Sequence, residues 1–227
     1  MSSRPSATNR RPSTVRNMEC FTWYPDNYNV AYQNQLNMTQ LHQLLADEDQ
    51  RVIFVYGCLK LPTVLRAYCD QPNSLQFARR MQPARAVGYR LYERTPNGAP
   101  FMVFTGQEHD VVEGMVVFAI DHEDAITMMH GESGGMDACL IEIEAVIIED
   151  GSGLADRWVE VTYALKVHAL VWNRSLEGMQ WKGVTDWAVD LFLRSEHYDK
   201  FVKTSRRARV GGNHRPGVSP LSSNSRL

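Results

Sequence analysis

Two kinds of hydrophobic pattern occur along the central part of the chain. Residues 31–46 carry leucines at helical spacing, which predicts a helix packed on the core. Residues 51–56 (RVIFVY) form a nearly continuous apolar run of β-forming residues, which predicts a strand buried on both faces. Gly57 ends this strand, and Pro62 suits the first turn of a helix that we expect to reach residue 68.

The rest of the central region is rich in further strand patterns. They predict five more strands, at residues 84–92, 101–104, 111–120, 139–149 and 158–172. Asp121 is a suitable N-cap for a short helix through residue 129, and a last helix is expected over 185–195. These elements predict an α+β domain whose strands close into a small mixed β-barrel with peripheral helices.

Both ends of the chain have the composition of disordered tails. Residues 1–17 place arginines among serines and threonines, as a mitochondrial transit peptide does, but two prolines interrupt the helix that such a peptide needs. Residues 205–227 are rich in Arg, Gly and Ser, and their basic cluster at 206–209 suits a localisation or nucleic-acid patch as well as a solvated tail. We favour disorder at both ends, which leaves one domain at residues 18–204.

Composition and charge exclude several classes of function. The chain has 227 residues, 44% of them hydrophobic and 22% charged, with a formal net charge of -2. This balance is ordinary for a globular domain and gives no reason to expect a nucleic-acid or membrane partner. No apolar stretch approaches the roughly 18 residues of a membrane span, and no secretory signal is apparent. We therefore expect a cytoplasmic protein.

The cysteines do not suggest a metal site. Their positions show no CxxC pair and no regular spacing: Cys20, Cys58, Cys69 and Cys139. In a reducing compartment they are expected to remain thiols. We expect neither a metal nor another cofactor.

The segment Tyr56-Gly57-Cys58-Leu59 is the first candidate for chemistry. A tight turn at the end of a strand directs successive backbone N–H groups toward one point, which suits a carboxylate or a carbonyl oxygen. Gly57 permits the backbone angles of such a turn. Tyr56 would either donate a hydrogen bond to a substrate or pack in the core. An ordinary loop is the alternative for the whole segment.

Glu132 is the second candidate. It lies in the glycine-rich segment 130–135, which we place in a loop between the helix after Asp121 and a long strand. A glutamate there is either a proton carrier or simply solvated. His130 is an alternative proton carrier.

Taken in order, these motifs resemble the gamma-glutamylcyclotransferase-like superfamily, whose members are also called avirulence-induced-gene-like proteins. The run 54–59 is similar to the family's Tyr-Gly-x-Leu opening, and residues 86–89 and 112–116 are similar to two of its strands. Residues 128–132 are similar to the segment that carries its catalytic glutamate, and 159–172 to the strand that follows. The resemblance covers about residues 52–172.

The resemblance implies a metal-independent enzyme that acts on a gamma-glutamyl compound such as glutathione, a gamma-glutamyl peptide or a glutathione conjugate. The α-amine of that compound would attack its own side-chain amide and release 5-oxoproline and a free amine. Glu132 would take and return the proton, with its pKa raised from about 4.3 by nearby methionines. Tyr56, Gly57, Cys58 and Leu59 would bind the substrate. The protein would be a monomer or homodimer.

Three alternatives remain open at this point. Cys58 would be a nucleophile if one of the chain's histidines served as its base, and the conceivable ones are His109, His122, His130 and His168. The same pocket and glutamate would also suit another cyclisation, elimination or isomerisation. A third alternative is a binding module without catalytic activity.

Overall fold

The computed structural model describes residues 24–47, 49–69, 73–95, 98–132, 135–149 and 159–207. For residues 131–132 and 203–207 it describes the backbone alone. The predicted tail at 1–17, Cys20 and residues 208–227 lie outside these described residues. The helices are α1 (Asp26–Gln33), α2 (Met38–Leu45), α3 (Pro62–Tyr68), α4 (Ser74–Ala78), α5 (His122–Glu132), α6 (Asp190–Leu193) and α7 (Glu196–Arg207). The strands are β1 (Gln50–Val55), β2 (Met81–Val87), β3 (Tyr89–Glu93), β4 (Phe101–Phe104), β5 (Val111–Asp121), β6 (Asp137–Glu149), β7 (Val159–Val171) and β8 (Gln180–Trp181).

Five of the strands close into a barrel, which confirms the predicted α+β barrel. Their order is β1-β5-β2-β6-β7, and a single parallel pairing of Ile53 with His168 joins β1 to β7. The other neighbours are antiparallel, and β6 pairs with β7 from Asp137↔Val171 to Glu149↔Val159. The barrel is therefore mixed, and the end of β1, the start of β6 and the end of β7 lie at the same end of it.

Strand β1 runs through the centre of the protein. Ile53, Phe54 and Val55 are each 1% exposed, so successive side chains on both faces of the strand are buried. This confirms the sequence prediction of a strand covered on both sides. Helix α3 follows over the predicted residues, with Pro62 in its first turn.

The predicted helix at 31–46 is two helices. Asn37 interrupts it and caps α2 through a capping box with Gln40. The preceding Asn34 amide donates to the carbonyl oxygens of Arg79 and Met81, which fixes the break against the start of β2. A leucine pattern alone does not reveal this long-range contact.

The predicted strand at 84–92 is also broken, at Gly88. Its φ of +86° turns the chain out of the barrel and into a three-stranded sheet of order β4-β3-β8. Its N–H donates to the carbonyl oxygen of Asp110, at 2.7 Å. Burial acts to raise the pKa of Asp110, but hydrogen bonds from Thr105 and Arg90 outweigh burial and hold that pKa below its ordinary value.

The predicted helix at 185–195 is mostly irregular. Asp186 forms a β-bridge with Glu113, and the helical part is limited to Asp190–Leu193. Helix α7 then runs to Arg207. Residues 205–207, which the sequence placed in the disordered C-terminal tail, are therefore helical. Within the described residues, no helix is long and apolar enough to cross a membrane.

Candidate active site

The hydroxyl of Tyr56 is bonded to the backbone of two other strands. It donates to the carbonyl oxygen of Leu170 at 2.8 Å and accepts from the N–H of Met102 at 3.2 Å. The side chain is 8% exposed, and its ring packs 6.5 Å from that of Phe54. Tyr56 therefore joins β1, β4 and β7 at one end of the barrel. A contact between Tyr56 and substrate stays a prediction.

Gly57 begins a 3-10 turn, Gly57–Lys60, immediately after Tyr56. Its φ is +63°, which L-residues other than glycine rarely adopt. A Cβ atom at this position would lie 3.0 Å from the Pro100 Cγ, so there is also little room for a side chain. The use of the Gly57 and Cys58 N–H groups as donors to a substrate stays a prediction.

The two other members of the turn differ in exposure. Leu59 is buried, whereas Cys58 is half-buried. Leu59 thus anchors the turn on the core and leaves Cys58 nearer the surface. Neither residue's predicted contact with substrate is tested by this arrangement.

Lys60 holds the turn from its other end and was not predicted from the sequence. The residue is 3% exposed. Its ammonium forms an ion pair with Asp186 and donates to the carbonyl oxygen of Trp187 at 2.9 Å. The flanking leucines at 59 and 61 are a sequence signal for burial, but the partner of the charge lies 126 residues away. Lys60 therefore fixes the turn against the C-terminal segment.

Glu132 is the last residue of α5, where the sequence had predicted a loop. The helix begins as predicted, because the Asp121 carboxylate accepts the N–H of Glu123 at 2.9 Å. Met128 and Met129 bury the end of the helix, at 0% and 9% exposure. The side chain of Glu132 itself lies outside the described residues, so its catalytic role stays a prediction.

The two candidate segments meet at Met136. Its Sδ lies 3.1 Å from the Tyr56 hydroxyl oxygen, and it is only four residues after Glu132, a span of at most about 14 Å. Helix α5, which ends at Glu132, also packs on α3 and β1. The fold therefore brings the backbone of the Glu132 segment to the end of the barrel that carries the Tyr56-to-Leu59 turn.

The histidines proposed as partners for Cys58 are dispersed. His122 accepts a hydrogen bond from Arg51, at the start of β1, whereas Cys58 follows the end of that six-residue strand. His109 lies beside Asp110, and His168 is exposed on β7. His130 lies two residues before Glu132, near the end of α5, whereas His122 is the first residue of that helix.

The thiols of the buried Cys69 and the half-buried Cys139 are poor nucleophiles. Burial, together with Asp124, raises the pKa of Cys69 to about 12. Burial also raises the pKa of Cys139, with Asp137 contributing. Both thiols are therefore protonated at neutral pH, and both are free in the structure. Among the described residues, no group of three or more His, Cys, Asp or Glu side chains is placed to hold a metal ion.

A separate surface groove lies along the barrel wall. It shares no residue with the candidate site and is lined by Arg85, Val87, Glu108, His109, Val111, Glu142, Ile143 and Glu144. Arg85 is already paired with Glu144 across this groove. Its shape and charges do not connect it with the predicted chemistry.

Comparison with known proteins gives a family and two similar structures. A family model described as gamma-glutamyl cyclotransferase, AIG2-like, matches residues 53–187. A solution structure of an Arabidopsis thaliana protein is 19% identical and has a TM-score of 0.41, with 72% of this chain and 84% of that chain covered. A second Arabidopsis thaliana solution structure is 16% identical, with a TM-score of 0.40 and coverage of 70% and 91%. No curated protein matches the chain.

The matched residues confirm the resemblance found from the sequence. They begin within β1, include the Tyr56-to-Leu59 turn and Glu132, and end at the Trp187 that contacts Lys60. The match thus covers the barrel apart from the first three residues of β1, together with both candidate segments. Since it also covers more than half of the sequence, the chain belongs to the gamma-glutamyl cyclotransferase, AIG2-like family.

Proposed function

We propose that the protein is a gamma-glutamylcyclotransferase-type enzyme that converts a gamma-glutamyl compound into 5-oxoproline and a free amine. Family membership favours cyclotransferase chemistry. The observation that carries the proposal for this chain is the contact between Tyr56 and Met136, because it joins the strand-end turn to the segment that follows Glu132. Glutathione, other gamma-glutamyl peptides and glutathione conjugates are the substrates we consider.

The proposed reaction needs one proton carrier. Glu132 takes a proton from the substrate's α-ammonium group, and the freed amine attacks the carbonyl carbon of the γ-amide. A new C–N bond closes the five-membered ring, and the original amide C–N bond breaks. Glu132 gives this proton to the departing nitrogen and then passes on the second proton, which the attacking nitrogen loses when the lactam forms. The amine therefore leaves as an ammonium ion, the glutamate returns to its starting state, and no water is consumed.

The turn after β1 supplies the binding half of the proposed site. Backbone N–H groups of Gly57, Cys58 and Leu59 bind the substrate's α-carboxylate and bend the molecule toward the ring. A fixed near-attack geometry of this kind lowers the barrier by roughly 7 kcal/mol or more in favourable intramolecular reactions. The anchoring of Tyr56 and Lys60 supports this role, because a turn that positions substrate must itself be fixed.

Release of 5-oxoproline from a panel of gamma-glutamyl peptides tests the proposal. We expect Glu132→Gln to lower kcat by about 10²–10⁴-fold, the usual contribution of general acid–base catalysis. Glu123→Gln is the matched control, because Glu123 is an exposed glutamate in the first turn of the same helix. Undiminished turnover in the Glu132 variant would remove this residue from the mechanism.

A further variant separates the carboxylate mechanism from a thiolate mechanism. We expect Cys58→Ala to keep most of the turnover, since the proposed use of Cys58 depends on its backbone N–H and not on its sulfur. Loss of turnover in this variant, together with trapping of an acyl-enzyme, would instead favour the nucleophilic thiol.

A further inference from the structure

Two arginines share one buried indole beside the candidate site. The guanidinium carbon of Arg94 lies 4.9 Å from the ring centroid of Trp172, and that of Arg174 lies 6.0 Å from the same centroid. Arg94 also lies 5.7 Å from the ring of Phe101, which packs edge-on against Trp172. Trp172 is 5% exposed, whereas both arginines are exposed. Two exposed guanidinium groups therefore lie against the same cluster of aromatic rings.

The aromatic cluster that carries this arginine pair adjoins residues next to both halves of the proposed active site. On one side, a Cβ at Gly135, three residues after Glu132, would be 3.2 Å from the Trp172 ring and 3.4 Å from an Arg174 nitrogen. On the other side, Phe101 directly follows Pro100, which packs against Gly57. The next residue, Met102, donates to the Tyr56 hydroxyl and accepts from the N–H of Trp172. The cluster is thus part of the same barrel end.

The charges of the pair are not neutralised within the described part of the chain. There, neither Arg94 nor Arg174 forms an ion pair, whereas Arg90 is paired with Asp110 and Lys182 with Glu93. Both guanidinium groups carry positive charge, so each attracts a bound anion. An arginine stacked on an aromatic face keeps its N–H edge free for a carboxylate, which it can bind through two parallel hydrogen bonds.

We propose that Arg94 and Arg174 form the subsite for a carboxylate on the departing amine. The preferred substrates are then gamma-glutamyl amino acids or peptides whose leaving half ends in a free carboxylate, and neutral gamma-glutamyl amides are poor substrates. The inference rests on the proposed function, because it assigns a binding site to the leaving half of the same substrate. The turn at 57–59 binds one end of this substrate and the arginine pair binds the other.

A matched pair of substrates isolates this contact. Gamma-glutamyl-alanine and gamma-glutamyl-alaninamide undergo the same cyclisation and differ only in the carboxylate. We expect the acid to have a kcat/KM about tenfold or more above that of the amide, the effect of one or two charge-assisted hydrogen bonds. The Arg94→Gln/Arg174→Gln double variant should lose this preference through a higher KM for the acid alone. Arg79→Gln, at an exposed arginine that ends α4, is the control for the loss of a surface positive charge elsewhere.

Binding measurements separate failure of the subsite from failure of the proposed function. Calorimetric titration of both compounds into the Glu132→Gln protein reads affinity independently of turnover. Release of 5-oxoproline from acid and amide at equal kcat/KM would overturn the subsite and leave the proposed function standing. Tighter binding of the acid that depends on the two arginines, without 5-oxoproline release by the unmodified protein, would support the subsite and overturn the proposed function. An equal loss for both compounds in the double variant would also overturn the subsite.

Discussion

The two halves of the candidate site are held in different ways. The turn after β1 is fixed by polar contacts: the Tyr56 hydroxyl bridges the backbones of Leu170 and Met102, and the Lys60 ammonium bridges Asp186 and Trp187. Hydrogen bonds and ion pairs require defined distances and directions. This half of the site has therefore one well-specified position relative to the barrel.

Methionines pack on both sides of Glu132 in the sequence. Met128 and Met129 bury the end of α5, and Met136 contacts the Tyr56 hydroxyl where the chain re-enters the barrel. A methionine side chain is unbranched and adapts to irregular surroundings, so its packing tolerates small displacements. The turn is therefore held by directional contacts, and the end of α5 by packing that adapts more easily. In the proposed mechanism, such packing suits a carboxylate that must reach first one nitrogen and then another.

The largest expected effect on stability comes from the ion pair of Lys60. Asp186→Asn leaves the buried ammonium without its carboxylate, and we expect a loss of about 2–3 kcal/mol in the free energy of unfolding. This is below the full cost of breaking a buried pair because the Asp186 side chain is 41% exposed. Lys60→Met should cost less, since it removes the buried charge and keeps the apolar stem. Urea denaturation of both variants measures the difference.

The combined variant sharpens that result. If the cost of Asp186→Asn arises from the unpaired ammonium, adding Lys60→Met should restore part of the lost stability. A double variant that is less stable than Asp186→Asn alone would show that Lys60 contributes through packing and not through its charge.

The next largest expected loss of stability comes from removing the hydroxyl of Tyr56. Tyr56→Phe leaves the carbonyl oxygen of Leu170 and the N–H of Met102 without this partner, and we expect a loss of about 2 kcal/mol. Tyr163→Phe is the control, because its hydroxyl bonds the less buried Glu149 and should cost about 0.5–1 kcal/mol. A raised KM in Tyr56→Phe with unchanged stability would instead show that the hydroxyl serves the substrate.

Elements determined by local signals could be predicted from the sequence. Pro62 predicted the start of α3, and Asp121 predicted the start of α5. The continuous apolar run predicted strand β1. These features depend on a few neighbouring residues, so a single sequence contains the necessary information. The order of the family motifs then identified the barrel.

Elements determined by distant contacts could not be predicted. Gly88 breaks a continuous strand pattern where Asp110 accepts its N–H, and Asp186 leaves a helical pattern to pair with Lys60. The same holds for the site. The turn was recognisable from Gly57, whereas the contacts of Lys60 with Asp186 and of Arg94 with Trp172 join residues far apart in sequence.

The smallest expected effect on stability, and the sharpest test of the comparison, concerns Met136. Met136→Leu nearly conserves side-chain volume, so we expect it to change the free energy of unfolding by less than about 1 kcal/mol. It nevertheless replaces the thioether that contacts Tyr56 with a stiffer branched side chain. If the catalytic half must adapt during the reaction, kcat should fall several-fold while KM stays unchanged, because the turn at 57–59 is untouched. Thermal unfolding and 5-oxoproline kinetics on the same preparation measure both quantities. A variant with reduced stability and unaltered kcat would mean that Met136 serves only the core, and that both halves of the site are equally rigid.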